Sequence, residues 1–131
     1  MIVSNIVLDT NAVIFLTAKG SVIPSDLEHE LNQAELFISV ISEIELFSKP
    51  TLPKNEEENL RVFLSDGIHT IDLTSAVKKE PIALRRNGRL KLPDCIVAAT
   101  AISLNATLLT ADKDLLALSW PGFRARPCMP R

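Results

Sequence analysis

Short apolar runs of strand length alternate with longer amphipathic stretches along the chain. The runs are continuous, which is typical of strands covered on both faces in a parallel sheet. The spacing between them favours helices, and Pro81 should start or kink its helix rather than sit within it. The predicted strands are 2–8, 36–38, 68–71 and 106–109, with a short edge strand at 124–126. The predicted helices are 12–17, 25–34, 40–47, 56–64, 75–86 and 94–104.

Strands separated by helices indicate right-handed crossover connections. The predicted fold class is therefore α/β: a three-layer α/β/α sandwich with a mostly parallel sheet of four to five strands. The 131 residues, 47% of them hydrophobic, suit one domain spanning 1–131. Open parallel sheets build their sites at the carboxyl ends of the strands, so the residues that follow each run are the ones to inspect.

Acidic residues stand at these strand ends and at helix starts. Asp9 follows the first run, and Asp112 repeats that placement after the fourth. Glu45 lies about one helical turn beyond the second run. Asp94 leads into a stretch that is apolar or small on every side, where an acid is costly unless a cation meets it. The alternative for Asp9 and Asp112 is a helix N-cap, and Ser42 with Glu45 matches a capping box.

Carboxylates gathered without His or Cys cannot all ionise together unless a hard cation neutralises them. Mg²⁺ or Mn²⁺ suits such a site because these ions take oxygen ligands and retain waters. A site of this kind supports phosphodiester hydrolysis. The sequence leaves open whether two neighbouring acids take part in this metal site. Glu43 lies on another helix face than Glu45, and Asp114 follows Asp112 by two positions.

The net charge of −2 hides an uneven distribution. Residues 1–77 carry 4 basic and 12 acidic side chains, whereas residues 78–131 carry 10 basic and 4 acidic ones. Much of this positive charge directly precedes Asp94 and is placed to hold the phosphates of a polyanion, with a solvated helix face as the alternative. This basic segment comprises Lys78, Lys79, Arg85, Arg86, Arg89 and Lys91. The candidate RNA-phosphate contacts within it are Arg85, Arg86, Arg89 and Lys91.

Membrane, secreted and zinc-binding classes do not fit the sequence. No apolar run approaches the roughly 20 residues that cross a bilayer, and the N-terminus lacks the basic region of a signal peptide. We therefore expect a cytoplasmic protein with no membrane partner. Cys95 and Cys128 are too few and too far apart for a disulfide framework or a zinc site.

The order of these motifs resembles that of the PIN-domain nucleases, and most of all the VapC-type toxins of bacterial toxin–antitoxin pairs. The matching motifs are Leu8-Asp9-Thr10-Asn11, Ser39 through Glu45-Leu46, Leu92-Pro93-Asp94 with Ala98-Ala99-Thr100-Ala101, and Leu109-Thr110-Ala111-Asp112. The resemblance covers nearly the whole chain. It implies a catalytic, metal-binding cluster of Asp9, Glu45, Asp94 and Asp112, supported by Thr10, Asn11 and Thr110. Ala111 departs from similar toxins, which often carry a larger polar or basic residue there, and this puts a substrate contact from that position in doubt.

The resemblance also implies RNA cleavage that depends on Mg²⁺ or Mn²⁺, a cognate antitoxin that blocks the site, a homodimer, and contact with DNA only through the antitoxin. Two alternatives stay open. One is a non-catalytic, receiver-like module that binds Mg²⁺, with Asp72 after the third run as phosphoacceptor, although Asp9 lacks an adjacent acidic partner. The other is a PIN-fold RNA-processing nuclease without an antitoxin.

Overall fold

The sheet lies at the centre of the molecule, and a computed structural model describes residues 4–74 and 79–128. Its strands are β1 (Asn5–Leu8), β2 (Glu35–Ser39), β3 (Ile68–Ile71), β4 (Thr107–Thr110) and β5 (Arg124–Pro127). They form one five-stranded sheet in the order β3-β2-β1-β4-β5, and every neighbouring pair is parallel. The predicted parallel sheet is confirmed, including the short strand at its edge.

Helices supply the connections that parallel strands require. They are α1 (Thr10–Thr17), α2 (Ser25–Asn32), α3 (Val40–Phe47), α4 (Lys54–Ser65), α5 (Lys79–Arg86), α6 (Leu92–Ser103) and α7 (Lys113–Ala117). The first six match the predicted helices, and Pro81 falls in the first described turn of α5. The short helix α7 was missed because its five residues are too few to show a helical period.

Local chemistry moves several helix starts ahead of their predicted positions. The Asp9 side chain caps α1, and Pro53 immediately precedes α4, so both helices begin two residues early. Pro93 lies at the start of α6, which places Asp94 in the first turn of that helix rather than at its first residue. Residues 2, 3 and 75–78 of the predicted first strand and fifth helix lie outside the described residues.

Two apolar clusters cover the two faces of the sheet. Ile6 and Leu8 pack with buried residues of α1 to α4, whereas Val7 between them packs with buried residues of α5 to α7. Alternate side chains of a strand point to opposite faces, so this division confirms the three layers. At the sheet edge, His69 and Thr70 of β3 are exposed, and the expectation that the third run is covered on both faces is wrong. An edge strand has a neighbour on one side only, and the helices cover it incompletely.

Helix α6 packs closely on the sheet because its buried face is made of small residues. Ala98, Ala99 and Ala101 are completely buried, and the helix contacts β1, β2 and β4. Alanine adds only a methyl group to the backbone, so helix and sheet approach each other without voids. This close approach brings the first turn of α6 to the carboxyl edge of the central strands.

None of the described helices is both long and apolar enough to cross a membrane.

Candidate active site

Asp9 is the most deeply buried acid of the site, with 5% of its surface exposed. It follows the central strand β1, and its backbone amide donates to the Leu109 carbonyl of β4 (3.0 Å). Its Oδ1 accepts a hydrogen bond from the Thr10 amide (2.9 Å), and its Oδ2 accepts one from the Thr110 hydroxyl (2.7 Å). Asp9 therefore caps α1 and at the same time presents a carboxylate at the sheet edge. The two interpretations of Asp9, as a helix N-cap and as a site residue, are therefore compatible.

The turn between β4 and α7 is held onto Asp9 by two side chains. Thr110 is fully buried, and its hydroxyl oxygen also accepts from the Asp112 amide (3.0 Å). Asn11 Oδ1 accepts from the Ala111 amide (2.8 Å), and Asn11 Nδ2 lies 3.4 Å from Asp9 Oδ2. Ala111 joins this network through its backbone alone.

Glu45 does not belong to a capping box. The N-cap of α3 is Ser39, whose hydroxyl accepts from the Ile41 amide (3.3 Å). Ser42 lies buried inside the helix, and its hydroxyl has no hydrogen-bond partner among the described residues. Glu45 Oε1 instead accepts from the Thr10 hydroxyl (2.8 Å), which ties α3 to the turn that carries Asp9.

Glu43 and Asp114 point to other parts of the surface. Glu43 Oε2 accepts from the Thr70 hydroxyl of β3 (2.9 Å), so this carboxylate faces the edge strand. Asp112 is the N-cap of α7, and its Oδ1 accepts from the amides of Asp114 and Leu115 (2.8 and 3.1 Å). The Asp114 side chain is exposed and lines a separate groove beside α7.

Three of the predicted acids act electrostatically on the fourth. Burial, then the negative charges of Asp112, Asp9 and Glu45, raise the pKa of Asp94 from 3.8 to about 6, and Lys91 opposes this shift. Burial also raises the pKa of Asp9 above its usual value despite the hydrogen bonds from Thr110 and Thr10, and the charges of Asp112 and Glu45 raise it further. Helix starts and strand ends from four parts of the chain thus form one acidic cluster.

The donor set of this cluster fits a hard cation. Asp94 is half-buried, and its carboxylate has no hydrogen-bond donor among the described residues, so its charge is incompletely compensated. Within residues 4–74 and 79–128, no three acidic, histidine or cysteine side chains are close enough to enclose an ion directly. The chemistry of the donors is that of Mg²⁺ or Mn²⁺ ligands, because these ions prefer carboxylate oxygens, keep several waters and need only one or two direct carboxylate ligands.

The basic segment divides into residues with different surroundings. Lys91 is close enough to lower the pKa of Asp94, whereas Arg85 donates from Nη1 to the Leu90 carbonyl (3.0 Å) and so braces the loop before α6. Arg86 and Arg89 are exposed, and Arg89 lines the groove beside α7. Lys78 lies outside the described residues. The sequence reasoning did not single out Asn87, which lines the same groove; the turn dipeptide Asn87-Gly88 was the available signal.

The PIN domain family model matches residues 6–121, and the chain belongs to this family. Among solved structures, the toxin–antitoxin complex from Klebsiella pneumoniae is similar at 28% identity and a TM-score of 0.68, covering 89% of this chain and 93% of that one. VapBC2 from Rickettsia felis bound to a DNA fragment from its promoter shares the fold at 24% identity and a TM-score of 0.74, covering 94% and 98%. DNA-bound VapBC from Salmonella typhimurium also shares the fold, at 20% identity and a TM-score of 0.72, covering 96% of this chain and 99% of that one. No curated protein matches the sequence.

Proposed function

We propose that this PIN-domain protein is a metal-dependent endoribonuclease that acts as the toxin of a type II toxin–antitoxin pair. The observation that carries the proposal is the acidic cluster at the carboxyl edge of the sheet, where burial and the charges of three neighbouring carboxylates raise the pKa of Asp94. Acids gathered in this way can all be ionised together only when a cation balances them. The cluster therefore fits the metal-dependent chemistry that the PIN resemblance implies.

In this proposal Asp9, Glu45, Asp94 and Asp112 hold Mg²⁺ or Mn²⁺. When bound, such an ion balances charge on the phosphate oxygens and activates water for hydrolysis of the phosphodiester bond. Hydrogen bonds of Thr110 and Asn11 hold the Asp9 carboxylate and the β4–α7 turn together. The Thr10 hydroxyl holds the Glu45 carboxylate beside them. These side chains keep the carboxylate oxygens in place before substrate arrives, so little reorganisation is needed during the reaction.

The similar structures support a proposal about the partners of this chain. The Klebsiella pneumoniae structure is a toxin–antitoxin complex, and the Rickettsia felis and Salmonella typhimurium VapBC structures contain DNA. By similarity, we propose that this chain binds a cognate antitoxin and contacts DNA only through it. The homodimer is proposed from the resemblance to the VapC-type toxins alone. The runner-up is a PIN-fold RNA-processing nuclease without an antitoxin.

The receiver-like alternative is weakened by the sheet order. A receiver needs its phosphoacceptor after a central strand, but Asp72 follows β3, which is the outermost strand on its side of the sheet. Asp72 is exposed, and Asp9 lies two strands away at the end of β1. Treatment with acetyl phosphate, followed by mass measurement, should therefore leave the mass unchanged; a phosphorylated Asp72 would favour the receiver.

The direct test is cleavage of single-stranded RNA by the purified chain. We expect cleavage with Mg²⁺ or Mn²⁺, none with EDTA, and loss of at least about a hundredfold in activity in the Asp94→Asn and Asp9→Asn variants. Asp72→Asn is the matched control, because it removes the same charge from another strand end without touching the cluster. Full activity in both cluster variants, or equal cleavage in EDTA, would refute the proposal.

The toxin role has its own test. Expression of the chain in bacteria should arrest growth, and Asp94→Asn should abolish the arrest while the protein accumulates. Co-expression with a small DNA-binding protein encoded beside it should restore growth. RNA cleavage in vitro without growth arrest would favour the processing nuclease instead.

A further inference from the structure

A groove of about 280 Å³ lies beside α7, close to the lower end of the range for small-ligand pockets. The loop between α5 and α6 forms one wall, and α7 with the residues after it forms the other. Its lining combines a cation, an acid, neutral polar groups and an apolar surface. The residues that matter are Asn87, Arg89, Leu90, Asp114, Leu118 and Ser119.

The loop that forms the first wall has a defined conformation. Gly88 has a φ of +83°, which a residue with a side chain rarely adopts, and its amide donates to the Arg85 carbonyl (3.0 Å). Arg85 Nη1 in turn donates to the Leu90 carbonyl (3.0 Å), and the Leu90 side chain is buried. The turn and the brace present Arg89 on the outside, and no described carboxylate lies within ion-pair distance of it. Its guanidinium is free to take a phosphate.

Residues that line the groove lie close in the chain to two acids of the cluster. The wall that ends at Leu90 leads through Lys91 into α6 and Asp94, and Asp114 follows Asp112 by two residues. A chain whose scissile phosphate lay at the cluster would therefore reach the groove with a neighbouring nucleotide. Nucleotides have the matching chemistry, with a phosphate for Arg89 and an apolar base face for the partly exposed side chain of Leu118.

We propose that this groove is a nucleotide subsite for the RNA strand next to the scissile bond. The phosphate lies at Arg89, the base packs on the apolar lining, and Asp114, which would repel a phosphate, accepts hydrogen bonds from N–H groups of the base. Arg85 acts by positioning the loop and not by contacting RNA. This inference rests on the proposed ribonuclease function, because it assumes that RNA passes the acidic cluster.

The test measures binding of a fluorescent single-stranded RNA by anisotropy in EDTA, so that no cleavage occurs. Arg89→Gln should weaken binding several-fold and reduce the slope of log affinity against log salt by about 0.7, the value for one phosphate contact on a single strand. Arg89→Lys should recover much of the affinity. Arg86→Gln removes the same charge three residues away and outside the groove, and it should weaken binding by less than half as much.

Arg124→Gln is the remote control, because Arg124 starts β5 at the amino edge of the sheet, opposite the cluster, and its variant should bind RNA as the wild type does. With Mn²⁺ present, Arg89→Gln should raise KM for RNA more than it lowers kcat. Equal losses in the Arg86 and Arg89 variants, or no loss in either, would overturn the subsite even if the wild type cleaves RNA normally. Failure of the wild type to cleave any RNA with Mg²⁺ or Mn²⁺ would instead overturn the function on which the subsite rests.

Discussion

The Thr110 hydroxyl and the Asp9 carboxylate form a buried hydrogen bond of 2.7 Å between residues 101 positions apart. The same hydroxyl oxygen accepts from the Asp112 amide, so one side chain joins two of the proposed metal ligands. Thr110→Val keeps the shape of the side chain but leaves both partners unsatisfied. We expect the free energy of unfolding to fall by about 1–3 kcal/mol, together with a weaker affinity for Mn²⁺.

Thr110→Ser is the matched control, because it retains the hydroxyl and loses only a methyl group. Urea unfolding and calorimetric titration with Mn²⁺ would measure both effects. A valine variant that keeps the stability and the Mn²⁺ affinity of the wild type, while the serine variant loses both, would show that the methyl group rather than the hydrogen bond matters at this position.

Asp94→Asn should stabilise the metal-free protein. The folded state holds the Asp94 proton up to a pKa of about 6, whereas the unfolded chain releases it near 3.8. Stability therefore falls as the pH rises between these values, and the full cost is present above about pH 6. Because Asp94 is partly exposed and screened by solvent, removing its charge should add on the order of 1 kcal/mol at pH 7 and nothing below about pH 4.

Thermal unfolding of both proteins across this pH range, with EDTA, would measure the difference. Added Mg²⁺ should raise the melting temperature of the wild type more than that of the variant, since a ligand stabilises the state that binds it. A wild type that is more stable than Asp94→Asn at pH 7 in EDTA would contradict the electrostatic description of the cluster.

Glu45→Gln and Glu43→Gln separate two acids of the same helix. Glu45 contacts Thr10 beside Asp9, whereas Glu43 contacts Thr70 on β3. We expect Glu45→Gln to lower kcat/KM for RNA by about tenfold or more, roughly 1.4 kcal/mol, and Glu43→Gln to leave it unchanged. A larger loss in Glu43→Gln than in Glu45→Gln would show that Glu43, and not Glu45, belongs to the acidic cluster.

Ala98→Leu tests the close approach of α6 to the sheet. Ala98 is completely buried, and three added carbon atoms would push the helix away from the strands and shift Asp94 with it. We expect a loss of about 1–3 kcal/mol in unfolding free energy, measured with urea. The same substitution at the exposed Ala83 of α5 should cost far less; equal losses would show that the interface is looser than described.

Local patterns along the chain were enough to predict the three layers and the candidate acids. Continuous apolar runs predicted buried parallel strands, and the stretch around Ala98 that is apolar or small on every side predicted the buried helix, because both patterns depend on local periodicity and composition. Helix α7 was not predicted because it is too short to show a period, and the exposure of β3 was not predicted because it depends on the position of that strand at the sheet edge.

Contacts made in the folded chain assign each polar group its role. From the sequence, Glu45 fits a capping box and Asp9 fits either a cap or a site; in the folded chain Ser39 caps α3, Glu45 accepts from Thr10, and Asp9 does both. These outcomes depend on strand order and on contacts between residues far apart in the chain. Hydrogen bonds and charges act over a few ångströms, and no local pattern states which distant residues fall within that range.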